Sequence, residues 1–450
     1  MGEPARVLAG AVAQGLVRFD AGGQIEAGIA ERWTVIDNGT SYIFRLRDTR
    51  WRDGSPVTAG QVVAVLRRQL ARNSRNPLAP FLSAVEDVVE MTPEVIEIRL
   101  SRPRPDLLRL FAQPELAIMV PRQGGSGPFQ PVGAPDAAKL LLRPARDPVA
   151  ANDDAPRLSA AEDVRLRADH AANAILRFAA HRIDLVAGGS LADWPLLSLA
   201  EIAPANVRVD PAAGLLGLAI VDRDGFLADA ANRDALASIF DRPAIAAAFG
   251  GIAVAEGPVP DALDSAAAPT LPGWTDTPLD QRRASTRAVV AAWIAAHPAA
   301  TPAGTPPIPG QVSLRLALPP GPGGTVLWGQ LASALLSVGI TPVRVAADAP
   351  ADLRLVDEVA PYDSARWYLA TACRPCGEQA QASLERARSA PTLASRGEAL
   401  AEADRAVAAD VPFITLARPL RWSLVALRLR GWQPNARAWH PLNHLRDGPT

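Results

Sequence analysis

The chain has 450 residues, 48% hydrophobic and 21% charged, too many for one compact core, so two or three domains are expected. Its 46 basic and 47 acidic residues leave a formal charge of −1, and the arginines (Lys139 is the single lysine) are dispersed, which argues against nucleic acid or any other polyanion as partner. No apolar run approaches the length needed to cross a bilayer.

At the N-terminus only Arg6 precedes the short apolar stretch Val7 to Ala13, which runs straight into Gly15-Leu16-Val17. That is too short for a signal peptide. An export signal is therefore not visible, and is expected either to have been removed or to lie upstream. Ser41 to Arg47 alternates, with Tyr42, Phe44 and Leu46 on one face and Arg45 and Arg47 on the other, as a half-buried strand does. The turn Arg52-Asp53-Gly54-Ser55-Pro56 ends that segment. Thr58 stands three residues before Gln61 at capping-box spacing, and Val62, Val63, Leu66 and Leu70 give the next helix one apolar face. Val95 to Leu100 alternates again, with Ile96, Ile98 and Leu100 inward.

Gly124-Gly125-Ser126-Gly127-Pro128-Phe129 is a turn-rich break and a candidate domain crossing. As a phosphate loop it lacks the Lys-Ser/Thr that should follow. Ala171 to Phe178 predicts a helix and Arg182 to Ala187 a short strand. Asn232 to Arg242 predicts one amphipathic helix whose Asp241-Arg242 is a solvated end. Residues 296–310 are rich in Pro, Ala, Thr and Gly and read as a linker or long loop. A β-α-β unit follows: strand Val312 to Leu318, a helix capped by Thr325 and ended by Gly339, and strand Thr341 to Val345. Such a unit requires a parallel pair with a right-handed crossover. Leu353 to Val356 adds a strand, Ala380 to Ala390 and Leu393 to Ala409 two helices, and Pro412 to Leu416 a last strand.

Several of these segments in this order resemble the extracytoplasmic solute-binding proteins of the peptide/nickel class (family 5) that serve ABC importers. The residues that carry the resemblance are Gly15 to Asp20, Ile29 to Trp33, Tyr42 to Arg47, Trp51 to Ala59, the Asn232 to Arg242 helix and the 393 to 443 region. The resemblance implies an α/β, two-lobe periplasmic-binding-protein fold, type II-like and of cluster C. It implies a first lobe from 1–28, 124–222 and 431–450, an extra small subdomain from 29–123, and a second lobe from 223–430. It further implies capture of a small peptide-like or other polar solute by lobe closure, an ABC permease as membrane partner, a periplasmic location and a monomer without cofactor. The Gly15-Leu16-Val17 helix begins almost at Met1, where such proteins carry an edge strand and a loop that contacts the ligand. Two other readings stay open: the ligand-sensing domain of a cytoplasmic transcription regulator that has lost its DNA-binding module, or a degenerate relative that binds nothing.

By the same resemblance the ligand contacts gather where strands of the second lobe meet the hinge, in Asp357 to Tyr368. The ligand-binding candidates are Trp33, Asp357, Tyr362, Asp363 and Trp367. Peptide-binding members of the class hold the ligand's α-amine with an aspartate at the position that Pro361 occupies here, and proline offers neither a charge nor a backbone donor. Cys373 and Cys376, spaced Cys-Arg-Pro-Cys, read as a local disulfide of an oxidising compartment or as two idle thiols. No Gly-X-Ser-X-Gly elbow is present and the five histidines sit in no catalytic signature, so an enzyme is not expected. Nor is a metal: Pro441 interrupts the His440–His444 spacing, and two cysteines supply half of a structural zinc set.

Overall fold

The computed structural model describes residues 2–71, 73–136, 139–145, 162–261, 263–298 and 310–446. Most of the 296–310 linker expected from the sequence lies outside the described residues. The chain divides into two compact units, one of residues 1–188, 203–211 and 423–450, the other of residues 189–202 and 212–422.

In the first unit α1 (Glu3–Val12) leads into a short hairpin, β1 (Val17–Phe19) and β2 (Ile25–Ala27), so Gly15-Leu16-Val17 is not the expected helix but joins α1 to a strand. A four-stranded antiparallel sheet in the order β3-β4-β6-β5 follows, from β3 (Ala30–Ile36), β4 (Ser41–Leu46), β5 (Val85–Thr92) and β6 (Val95–Leu100). The expected alternation is there: Tyr42, Phe44, Leu46, Ile96, Ile98 and Leu100 are buried. The helix α2 (Ala59–Leu70) starts with both halves of the Thr58/Gln61 capping box and buries Val62, Val63 and Leu66. After the short α3 (Leu107–Phe111), an antiparallel sheet forms from β7 (Phe129–Asp136), β8 (Lys139–Pro144) and β9 (Val164–Arg167). Ala11 of α1, Phe129 and Leu142 make the core between that sheet and the first helix. The glycine-rich segment earns its composition here, since a Cβ on Gly127 would lie 2.4 Å from the backbone of Val12 and Ala13. Gly125 and Gly127 serve close backbone packing at the end of α1, while Gly124, at φ 84°, faces the Arg52 side chain.

The helix α4 (Ala171–Ala179) precedes β10 (Leu185–Ser190), three residues later than the sequence suggested. A short α5 (Leu196–Leu199), β11 (Val207–Asp210) and β12 (Gly214–Ile220) follow. The boundary expected near residue 223 falls before β12 instead, because this strand is fully buried and pairs on both edges within the second unit. There α6 (Ala230–Ser238) and α7 (Arg242–Ala248) replace the single helix expected over Asn232 to Arg242. Asp241 accepts a hydrogen bond from the Ala244 amide and Pro243 sits in the first turn, so the chain restarts a helix there. Arg242 is accordingly only 2% exposed, and not the solvated helix end read from the sequence.

The long α8 (Leu279–Ala296) leads to the expected β-α-β unit, β13 (Val312–Ala317), α9 (Pro322–Ser337) and β14 (Ile340–Val345), whose strands pair in parallel. The helix starts at Pro322, with Gly321 as N-cap at φ 95°, so Thr325 lies inside it and donates its hydroxyl to the Gly321 carbonyl. Proline in the first turn needs no amide partner, which makes Pro322 the better start. Next come β15 (Leu353–Val359), α10 (Ala365–Ala372), α11 (Glu378–Ser389), α12 (Leu393–Asp410), β16 (Phe413–Ala417) and β17 (Arg421–Val425). The main sheet of this unit has the order β14-β13-β15-β12-β16, with β12 antiparallel to both of its neighbours. A three-stranded sheet has the order β10-β17-β11.

Candidate functional site

The 357–368 segment begins as the end of β15, turns at Pro361 to Asp363 and enters α10 at Ala365. Ser364 caps that helix, its side chain accepting from the Arg366 amide at 3.3 Å. Asp357, Tyr362, Asp363 and Trp367 thus lie along one strand–turn–helix of the second unit. Trp33 is half-buried on β3, opposite Phe44 in the sheet of the first unit.

The four differ in what they can offer a ligand. Asp357 is already paired: Arg421 donates from Nη1 to its carboxylate at 2.7 Å and from Nη2 to its carbonyl at 2.9 Å, with both side chains about a fifth exposed (18% and 19%). Burial pushes its carboxyl above the ordinary aspartate range, and the charge and hydrogen bond of Arg421 pull it back in part. Trp367 is 2% exposed, its ring edge-on to Tyr368 at 4.9 Å, so it packs the core of the unit. Tyr362 is 4% exposed and hydrogen-bonds Arg366, whose guanidinium is lowered chiefly by burial while Tyr362 draws it up. Asp363 is half-buried at the turn.

Around this turn the fold gathers charges that no sequence pattern announced. Asp264 receives the Ala365 amide at 2.7 Å and the Ser364 hydroxyl at 2.8 Å, so its carboxylate sits on the start of α10. Arg396, buried on α12, donates to the same carboxylate (3.1 and 3.2 Å) and to Ser364 Oγ (2.8 Å). Arg418 lies over the Tyr368 ring at 5.9 Å and donates to the Pro258 carbonyl at 2.9 Å. A cavity of about 390 Å3 opens between loop 259–269, Ala365 and Asp404. Asp264 stands in an Ala- and Pro-rich loop without periodicity. Only the Thr392–Ser395 cap ahead of Arg396 marks a helix there, and it says nothing of the partner 132 residues away.

Cys373 and Cys376 follow α10 with their sulfurs joined and their Cα atoms 4.8 Å apart. His440 and His444 face different acids, Asp210 at 3.0 Å and Glu26 at 2.8 Å. Among the described residues no cluster of three or more metal-ligating side chains occurs, and no helix is long and apolar enough to cross a membrane.

Residues 24–285 match the family model described as bacterial extracellular solute-binding proteins, family 5 Middle. Among curated relatives, the probable deoxycholate-binding periplasmic protein YgiS of Escherichia coli K12 is 39% identical over 71 residues, 16% of this chain and 13% of that protein. This and two oligopeptide-binding relatives are matched over only 13% to 22% of their own length. The fold is similar over nearly the whole chain. Haemophilus influenzae OppA in complex with RPPGFSPFR superposes with a TM-score of 0.80 at 16% identity, covering 99% of this chain and 94% of that one. The Escherichia coli murein tripeptide binding protein MppA gives 0.79 at 18%, with the same coverage. These likenesses establish the two-lobe, type II-like α/β fold expected from the sequence.

Proposed function

The chain belongs to the bacterial extracellular solute-binding proteins of family 5, and from that membership we propose that it is the substrate-binding component of an ABC importer, working in the periplasm with a membrane permease. It holds its solute reversibly and does not transform it. The observation that carries this reading is the family match over residues 24–285, joined to a likeness of fold across 99% of the chain.

The solute is a small peptide-like or other polar molecule, met by the turn at Tyr362 and Asp363. Asp357 is a weaker candidate than its charge suggests, because Arg421 already neutralises it. Tyr362 and Asp363 border the start of α10, whose capping groups and the Asp264–Arg396 pair hold the turn in place. Pro361 stands where peptide-binding members carry the amine-binding aspartate, which favours a solute without a free α-amine at that point, such as a blocked peptide, an opine or a chelate.

Thermal unfolding against separate pools of short peptides, blocked peptides, opines, sugars and metal chelates tests this. A site saturated at about 100 times Kd adds roughly 2.7 kcal/mol, a shift of several degrees. A reproducible rise with one polar pool, reduced by Asp363→Ala, is the expected result. A cooperatively folded sample that no pool moves would overturn the reading.

A further inference from the structure

Within the second unit, a cavity of about 320 Å3 lies between α6, the 256–274 loop, the end of α12 and the start of β16. Its lining residues differ from those of the cavity beside the candidate solute site, although the 256–274 loop and α12 run along both. Phe413 pairs through Ala219 with the Arg354 end of β15, whereas the 357–363 turn leaves the opposite end, at Val359. Phe413 and Thr415 line the cavity while the intervening Ile414 does not, so the face of β16 that carries the threonine forms its wall.

Three features of that wall ask for a ligand. Thr415 is 2% exposed, and its hydroxyl has no hydrogen-bond partner among the described residues. Leaving a buried hydroxyl unpaired is costly, and few native groups do so. Arg242, which also lines the cavity, spends three of its five N–H groups on neutral carbonyls of Thr415, Ala237 and Phe240 and has no carboxylate in contact among the described residues. Its guanidinium lies 4.6 Å over the Trp274 ring, with that of Arg282 5.2 Å from the same ring. Burial first, then the neighbouring Arg282, lowers Arg242 to about 10, with Glu256 pulling the other way. The third feature is apolar: Trp274, Phe413 and Val407 are buried around the space, and Leu271 is 60% exposed at its edge. The volume suits a small molecule and is too small for a peptide.

We propose that this cavity is a second binding site, for a small organic monocarboxylate with a flat or branched apolar body. The body packs on Trp274, Phe413 and Leu271. The carboxylate accepts the Thr415 hydroxyl and the spare N–H groups of Arg242, a direct contact that Glu256, which also lines the cavity and acts on Arg242 by its charge, does not make. The site goes beyond the transport reading and does not depend on it.

Phenylacetate, with its neutral isostere phenylacetamide, tests the proposal by calorimetric titration of the whole chain. Phenylacetate is expected to bind, with the amide at least tenfold weaker. Thr415→Val keeps the shape and removes only the unpartnered hydroxyl, so it should fold as well as the parent protein and bind phenylacetate about tenfold more weakly. Leu271→Asp, at the exposed edge, should weaken it further. Asp363→Ala should leave phenylacetate binding unchanged, while it reduces binding of the solute proposed above. No heat of binding at 10 mM phenylacetate would overturn the proposal and leave a cavity holding only water. Equal binding of the amide, or equal binding by Thr415→Val, would overturn the carboxylate assignment. Loss of binding in Asp363→Ala would place the ligand at the other site and refute the second one.

Discussion

Arg421→Met should separate a structural Asp357 from a ligand-binding one. In the folded chain Asp357 is paired with Arg421 at 2.7 Å, and burial already raises its carboxyl. Removing the arginine strands that carboxylate. Breaking a buried pair in this way costs about 3–5 kcal/mol, and with each side chain about a fifth exposed, solvent screening reduces this to about 2–4 kcal/mol. For a folding unit of roughly 150–250 residues, a loss near 3 kcal/mol lowers the midpoint by about 6–12 °C. The reverse substitution is milder. In Asp357→Asn the arginine keeps the carbonyls of residue 357 and Leu420 as acceptors (2.9 and 2.8 Å), so a loss of about 1 kcal/mol is expected. The pH dependence carries the sign. A carboxyl raised on folding contributes stability that is fully present below its unfolded value near 4 and is lost as pH rises through its folded value. Without Arg421 that folded value rises further, so the deficit of Arg421→Met should be small at pH 4 and full at pH 7. Thermal unfolding of both single variants and the double variant across that range is the assay. A deficit under about 1 kcal/mol, or one that does not change with pH, would refute the argument.

Three further outcomes follow from other parts of the fold. Arg233→Met strips hydrogen bonds from the carbonyls of Leu227, Ala228 and Asp410, so urea unfolding should show a loss of about 3–5 kcal/mol. Burial raises the Asp410 carboxyl, but the hydrogen bonds from Arg223 and the Gly377 amide, with the charges of Arg223 and Arg233, outweigh it and hold the group below the usual range. Its contribution is therefore present above an unfolded value near 4 and lost as pH falls through the lower folded one, so wild type should lose stability below pH 4 more steeply than Asp410→Asn in acid titrations followed by circular dichroism. Gly127→Ala puts a Cβ 2.4 Å from backbone atoms of Val12 and Ala13, which cannot yield as a side chain would, and a midpoint within 2 °C of wild type would contradict that packing.

Much of this fold was legible because it is written in local periodicity. The alternation of Tyr42, Phe44 and Leu46, the Thr58–Gln61 cap and the β-α-β unit after residue 312 each follow from side-chain spacing within one element. The sequence reading slipped where one strong local signal masked another. Asp241-Arg242 reads as the end of the helix before it, although an N-cap aspartate followed by an early proline, Pro243, announces a new one. Thr325 looked like a cap because threonines often are, but Pro322 three residues earlier fits the first turn better.

The candidate site was legible only as a stretch of chain. Tyr362, Asp363 and Trp367 could be chosen by residue type, but whether each is spent on the fold depends on partners far away in sequence: Arg421 for Asp357, and Asp264 and Arg396 for Ser364. Charge alone cannot tell the two uses apart. An aspartate that already has an arginine at 2.7 Å must give up that partner before it can hold a ligand's amine, and the cost estimated above for stranding it is of the same order as the bond it would gain. Pro361 beside it can neither donate nor carry charge, and both acids at this end of β15 face arginines, Asp357 with Arg421 at 2.7 Å and Glu358 with Arg374 at 3.5 Å. An Arg421 variant, by freeing Asp357, should gain affinity for amines as it loses stability. Titrating Arg421→Met and wild type with the same free-amine peptides reads this directly, and weaker binding by the variant would show that Arg421 itself faces the solute.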